Sequence, residues 1–324
     1  MAQLTLLQIA QAVTGELGLV QPSVVVGATD LQTVQILNLI NREGDNLKRT
    51  HNWTQLQTLF TLNVGPPTVT TGNVTLSSPV ITNIPSTAGL TAELFCVSGS
   101  QIPVAARLLN LGDQNGNNPT TSVTLDMVAT GTVANTALTF AQDTYPENAD
   151  FDRFLNGTAW DRTNRWALLG PDSPQLDEYH RSGIVTTGPR RHFRQVGNLT
   201  AGTYRIWPAP AIVDTPFQIA WEYLSLNWVR VNGGSTLAAS MVNDADTPIL
   251  DSQALILGAK WRFLQAKGIP TAASMQTEYL DYVQQLIARD GGAPTLTMGR
   301  RWTPYLLNTG NVQDANFPAG AGSA

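Results

Sequence analysis

The stretch FDRFLNGTAWDRTNRW, residues 151–166, sets Phe151, Phe154, Trp160 and Trp166 among Asp152, Arg153, Asp161, Arg162 and Arg165, with two Asp-Arg pairs nine residues apart. Side chains of these types do acid–base chemistry, grip nucleic acid or bind protein. Acid–base work on a sugar bond needs two carboxyl groups flanking it. Asp150 with Asp152, and Asp177 with Glu178, are the acids that could serve. A chain with 24 acidic residues offers such pairs by chance, so solvated turn and helix-start charges are the simpler reading.

Other chemistry finds less support. His51, His180 and His192 are scattered and Cys96 is the single cysteine, so no zinc-ligand spacing is present. Cys96 lies in the apolar run LFCV and reads as a small core residue rather than a nucleophile. The dinucleotide glycine fingerprint, the phosphate-binding loop and the nucleophile elbow are all missing. The expectation is a protein that is not an enzyme and has no catalytic, cofactor or metal site.

The best nucleic-acid candidate is RRHFRQ, residues 190–195, with Arg181 and Arg205 near it, because arginines beside Phe193 could grip phosphates and stack on bases. Alternation along a strand puts His192 and Arg194 on one face and Arg191 and Phe193 on the other. Only part of the cluster then points one way, which favours a protein-facing or solvated role. For residues 151–166 two readings stand. Either Phe151, Phe154 and Trp160 are core and the charges face water, or the segment is an interface where Arg stacks on aromatics and pairs with carboxylates.

Composition narrows the classes. Charged residues make up 13% of the 324, against about 25% in ordinary soluble domains. A surface of neutral polar groups suits a protein that lies against other protein. The net charge of -5 argues against nucleic-acid affinity through bulk electrostatics, which needs a basic domain. MAQLTLLQIA lacks the charged flank and apolar centre of a signal peptide, and there is no apolar run of about 18 residues. A soluble protein made in the cytoplasm is expected.

The elements that must position these residues follow from periodicity. Leu6, Ile9, Ala10, Val13 and Leu17 share one helical face, and Gly18 and Pro22 stop the run. Thr29 or Asp30 can cap a second helix with the stripe Leu31, Val34, Leu37, Ile40, Gly44 and Leu47, the glycine marking a close neighbour. Alternation at Phe60, Leu62 and Val64 marks a strand. Residues 66–141 are Thr-rich, with short alternating runs and turn signals, and read as an inserted β-sandwich or barrel. Beyond it come a short helix at 174–182, a hairpin through RHFRQVGNLTAGTYRIW and a strand at FQIAWEYLS. A third long helix is expected from Thr247 as cap and Pro248 at its first position, and a fourth carries Met275, Tyr279, Tyr282 and Leu286. The fold class is α+β. Residues 1–65 and 142–292 form a body of two N-terminal and two C-terminal helices packed as a bundle with a small sheet, residues 66–141 the inserted module, and residues 293–324 an extended arm.

This order resembles the head-to-tail adaptors of short-tailed bacteriophages, of the tail tubular protein A type. The helix pair ending in HNWTQLQ, the turn YPENADFDRFLNGTAWDRTNR, the strand-Pro-strand run YRIWPAPAIVDTPFQIAWEYLS, the helices AKWRFLQAKG and EYLDYVQQLIARDG, and a long C-terminal arm carry the resemblance. It implies a virion structural protein of the tail or neck, made in the host bacterial cytoplasm. Such adaptors form a ring of twelve copies between portal protein and tail nozzle protein, with tail fibres as a further partner, and genomic DNA passes through during ejection without sequence-specific binding. Twelve copies would carry roughly -60, and an acidic lumen repels phosphate. Partner contacts are expected from Arg300, Arg301, Trp302 and Tyr305 in the arm, and from Arg153, Arg162 and Arg165. The alternatives are a tail fibre or host-surface glycan-binding protein and, behind it, a peptidoglycan hydrolase.

Overall fold

Two kinds of layer share the chain: long helices drawn from its two ends, and antiparallel sheets, with one short helix among them, drawn from its middle. The computed structural model describes residues 3–182, 191–197, 202–209 and 217–291. Within them the helices are α1 (Leu6–Glu16), α2 (Leu31–Thr50), α3 (Pro174–Arg181), α4 (Ser252–Ala266) and α5 (Ala272–Arg289). With the sheets described below, the chain is α+β. No described helix is long and apolar enough to cross a membrane.

α1 starts at Thr5, whose hydroxyl accepts from the Gln8 N–H while the Gln8 side chain accepts from the Thr5 N–H. Its buried face is Leu6, Ile9, Ala10, Val13 and Thr14. α2 is capped by Asp30, which accepts from the Thr33 N–H at 3.0 Å. The buried line of α2 is Thr33, Ile36, Ile40, Gly44 and Leu47, whereas Leu31 is 84% exposed. The expected stripe and the real one share Ile40, Gly44 and Leu47 but diverge in the first turns, where sequence periodicity alone accepts either. Trp228 decides the phase: its indole is fully buried and lies where a Cβ on Gly44 would overlap it.

α4 begins four residues later than its expected first turn. Thr247–Pro248 pairs as a strand with Val229–Arg230, and Asp251 is the cap, accepting from the N–H groups of Gln253 and Ala254 at 2.9 and 3.1 Å. α1, α2, α4 and α5 contribute to one hydrophobic core with Trp228, Leu224 and Met241. Within that core Glu43 of α2 is fully buried, accepts from Arg262 Nε of α4 at 2.6 Å and accepts from the Tyr279 hydroxyl of α5. Burial, then the charge of Glu43, pushes the Tyr279 phenol well above its ordinary pKa. It stays a donor throughout the working pH range.

The sheets occupy the middle of the chain. β1 (Gln57–Val64) pairs with β14 (Phe217–Ser225) along its whole length. On the other edge of β14 lie β9 (Phe151–Phe154) and β10 (Trp160–Asp161), and β10 carries β11 (Trp166–Ala167). A second sheet runs β12 (His192–Gly197), β13 (Gly202–Trp207), β8 (Thr144–Pro146). Phe193, Tyr204 and Ile206 from it share a core with Phe217, Ile219 and Trp221 of β14. A small third sheet joins β15 (Val229–Arg230), β16 (Leu237–Ala238) and β17 (Thr247–Pro248).

Residues 68–142 supply the largest sheet. β2 (Thr68–Val74), β3 (Val80–Thr82), β4 (Phe95–Gly99), β5 (Leu108–Leu111), β6 (Val123–Leu125) and β7 (Val133–Gln142) run in the order β4-β7-β2-β3-β6-β5. The two end strands meet: Cys96 bridges to Arg107, and Val97 N–H donates to the Ala106 carbonyl at 2.8 Å. The sheet therefore closes into a small barrel, which removes its free edges. Its core is its own, built from Ile81, Val97, Leu108, Leu138 and Phe140 among others. Arg107 fastens the barrel to β8 through Asp143 at 3.0 Å and the Thr144 hydroxyl at 2.8 Å.

Candidate functional site

The only group of metal-ligating side chains among the described residues lies where α3 crosses β12. The backbone makes this crossing first. Leu169 N–H donates to the Arg191 carbonyl at 3.0 Å, Phe193 N–H to the Leu169 carbonyl at 2.9 Å, and Asp172 N–H to the Phe193 carbonyl at 2.8 Å. Residues 169–172 thus lie alongside the start of β12. Gly170 permits it: its φ is 140°, and a Cβ there would overlap the Phe193 carbonyl. Ser173 then caps α3, with Pro174 at its first position, as its sequence foretells.

The two elements meet through matched periodicities. Asp177 and His180, three apart on α3, share a helical face, and His192 and Arg194, two apart on β12, share a strand face. Arg205 sits directly across from Arg194 in the β12–β13 register. Asp177 is 3% exposed and accepts from Arg194 Nη1 and, at 3.0 Å, from Arg205 Nη1. At the next position along, His192 Nδ1 lies 3.2 Å from one Asp172 carboxylate oxygen and 3.3 Å from the other. His180 Nε2 lies 3.8 Å from that first oxygen. The two imidazole centroids are 4.4 Å apart. One ligand atom from each of Asp172, His180 and His192 falls within 4.8 Å of the other two.

The expectation that the histidines are scattered thus holds along the chain but not in space. His180 and His192 come together because α3 folds back over β12, and Asp172 joins them because residues 169–172 bond to that same strand. What sequence reasoning lacked was the pairing of residues 169–172 with β12. His51, the third histidine, sits apart with Asp290 at 3.2 Å.

The carboxylate pairs separate into structural roles. Asp150 accepts from the Tyr223 hydroxyl and the Ser225 hydroxyl, both at 2.8 Å, Asp152 pairs with Arg153, and Asp177 with its two arginines. The basic stretch turns inward as well. Arg191 donates to the Pro208 carbonyl at 2.7 Å and lies 4.5 Å over the Phe217 ring, while Phe193 is core. Burial lowers the Arg191 pKa, against the opposing charge of Asp161. Arg190 is outside the described residues.

Of the expected partner contacts, Arg153 has its guanidinium donating to the carbonyls of Lys48 and His51 and to Asn52 Oδ1, so within the chain it holds the C-terminal end of α2. Arg162 and Arg165 are exposed on the β10–β11 hairpin. Phe151 and Phe154 pack against the sheet core, but Trp160, expected with them, is 46% exposed, as is Trp166. The reason is strand alternation: Asp161 is the inward residue of β10, 3% exposed and accepting from the Asn164 N–H at 2.8 Å. Arg300, Arg301, Trp302 and Tyr305 fall outside the described residues.

Neither a family model nor a curated protein sequence matches the chain.

Proposed function

We propose that this chain is a structural head-to-tail adaptor of a short-tailed bacteriophage, a virion protein that joins portal to tail nozzle in a ring of identical subunits. The observation that carries the reading is the β10–β11 hairpin. It presents Trp160 and Trp166, each 46% exposed, with Arg162 and Arg165 between them. Exposed tryptophan beside arginine is the composition of protein interfaces, where these residues contribute most of the binding energy. The proposed occupant is a second copy of this chain.

Other features support it. The helices from the two ends of the chain contribute to one core, and the strands between residues 68 and 142 have a core of their own. The acids that a hydrolase would need lie in structural hydrogen bonds and ion pairs. A body of net charge -5 in every subunit would line a DNA conduit without holding phosphate. In this reading tail fibres are a further partner.

Electron microscopy and native mass measurement of the purified full chain test the proposal, alone and with its cognate portal protein. Closed rings, with twelve copies expected, support it. A chain that stays monomeric in both conditions sinks it.

A further inference from the structure

We propose that Asp172, His180 and His192 form a binding site for one divalent transition-metal ion of the zinc type, which clips α3 to β12. The inference is independent of the adaptor reading.

The geometry carries it. Around a tetrahedral zinc ion, bonds of about 2.0–2.2 Å place neighbouring ligand atoms about 3.3–3.6 Å apart. The separations from Asp172 are 3.2 Å to His192 Nδ1 and 3.8 Å to His180 Nε2. Shifts of a few tenths of an ångström bring both into the range. Three different parts of the chain supply one ligand each: the segment bonded beside β12, the last turn of α3, and the first residue of β12. All three side chains are largely buried, with exposures of 7% for Asp172, 12% for His180 and 21% for His192.

A second observation distinguishes a metal site from a hydrogen-bonded trio. In a trio, each imidazole would donate to the carboxylate. His192 is within hydrogen-bonding distance of it, but His180 Nε2 is buried with no hydrogen-bond partner among the described residues. Leaving a buried polar nitrogen unpaired costs about 1–3 kcal/mol in general. A shared cation removes that penalty, since it accepts the lone pairs of both rings and the charge of Asp172 together. The ligand types also select the ion. Two imidazole nitrogens with one carboxylate oxygen suit zinc and its neighbours in the transition series, whereas calcium and magnesium take oxygen ligands. Three protein ligands leave a fourth position for water.

The test uses the full-length chain without an affinity tag, stripped with a chelator and dialysed, then titrated separately with Zn2+ and Co2+. One equivalent bound, visible Co2+ absorption of a low-coordinate site, and a higher thermal unfolding midpoint with Zn2+ are the expected results. His180→Ala and His192→Ala should each weaken uptake by more than the about 10–100-fold typical of losing a partner behind the ligands. His51→Ala should leave uptake unchanged. Circular dichroism checks that each variant folds, and the wild-type titration decides the matter even where one does not. No stoichiometric uptake by the folded wild type overturns the proposal, as does full uptake by a folded double variant lacking His180 and His192.

Discussion

The dipeptide Asp-Arg occurs at 152–153 and again at 161–162, and both copies lie on the same edge of β14. β9 pairs with β14 at Tyr223, Leu224 and Ser225, next to the helices, whereas β10 pairs at Ile219 and Ala220, farther back along the strand. That short displacement reverses the roles. At the helix end Arg153 reaches the last carbonyls of α2, where the helix dipole favours a cation, and Asp152 stays beside it at 2.9 Å. At the far end Asp161 is the buried member, building the hairpin turn through Asn164, and Arg162 faces solvent. Identical residues give a fastening in one place and a surface in the other, because their neighbours along β14 differ.

Four changes break or sharpen this contrast. The largest concerns the fully buried Glu43. Glu43→Ala should destabilise by about 3–5 kcal/mol, since it leaves Arg262 and Tyr279 without their buried partner; urea unfolding measures it. Arg153→Ala should cost about 1.5–3 kcal/mol through lost charge-assisted hydrogen bonds to α2. If Arg153→Ala and Arg162→Ala had equal effects on unfolding, the contrast would be wrong.

A smaller effect comes from acid. Asp246 is fully buried, and burial alone would raise its carboxyl pKa. The N–H groups of Asn232, Val242 and Asn243 together outweigh that and hold it below the ordinary value. A carboxyl depressed in the folded state stabilises fully above the unfolded value of about 3.9 and loses that contribution as pH falls through the folded one. Asp246→Asn should flatten this part of the stability profile between pH 5 and pH 2, followed by thermal unfolding. Smallest of all, Arg162→Ala should change monomer stability by less than about 0.5 kcal/mol. Paired with Trp160→Ala, it should instead weaken the proposed self-association, read by sedimentation.

Much of the framework was legible. The buried face of α1, a cap at Thr29 or Asp30 for α2, Ser173-Pro174 at α3, the close approach at Gly44 and the all-β character of the 66–141 segment follow from local chemistry that needs no distant partner. Errors occurred where two local solutions were nearly equal. Thr247-Pro248 is a good helix start, yet Asp251-Ser252 is another, and pairing with β15 settled the choice. Of the two readings of residues 151–166, the one with Trp160 in the core fails at that residue, because the inward side of β10 is taken by Asp161, which accepts from the Asn164 N–H in the turn.

The candidate site was the least legible part. His180 and His192 are twelve residues apart in the sequence and Asp172 another eight before, a spacing with no regular period. The sequence by itself determined the elements, because capping, alternation and turn chemistry act within a few residues. It also determined the low charge and the absence of any contiguous catalytic motif. Only the tertiary structure decided which charges are fastened and which are free, and that Asp172, His180 and His192 meet. Both depend on how α3, the segment beside it and β12 dock, and docking is fixed by burial and by backbone hydrogen bonds between residues far apart in the chain.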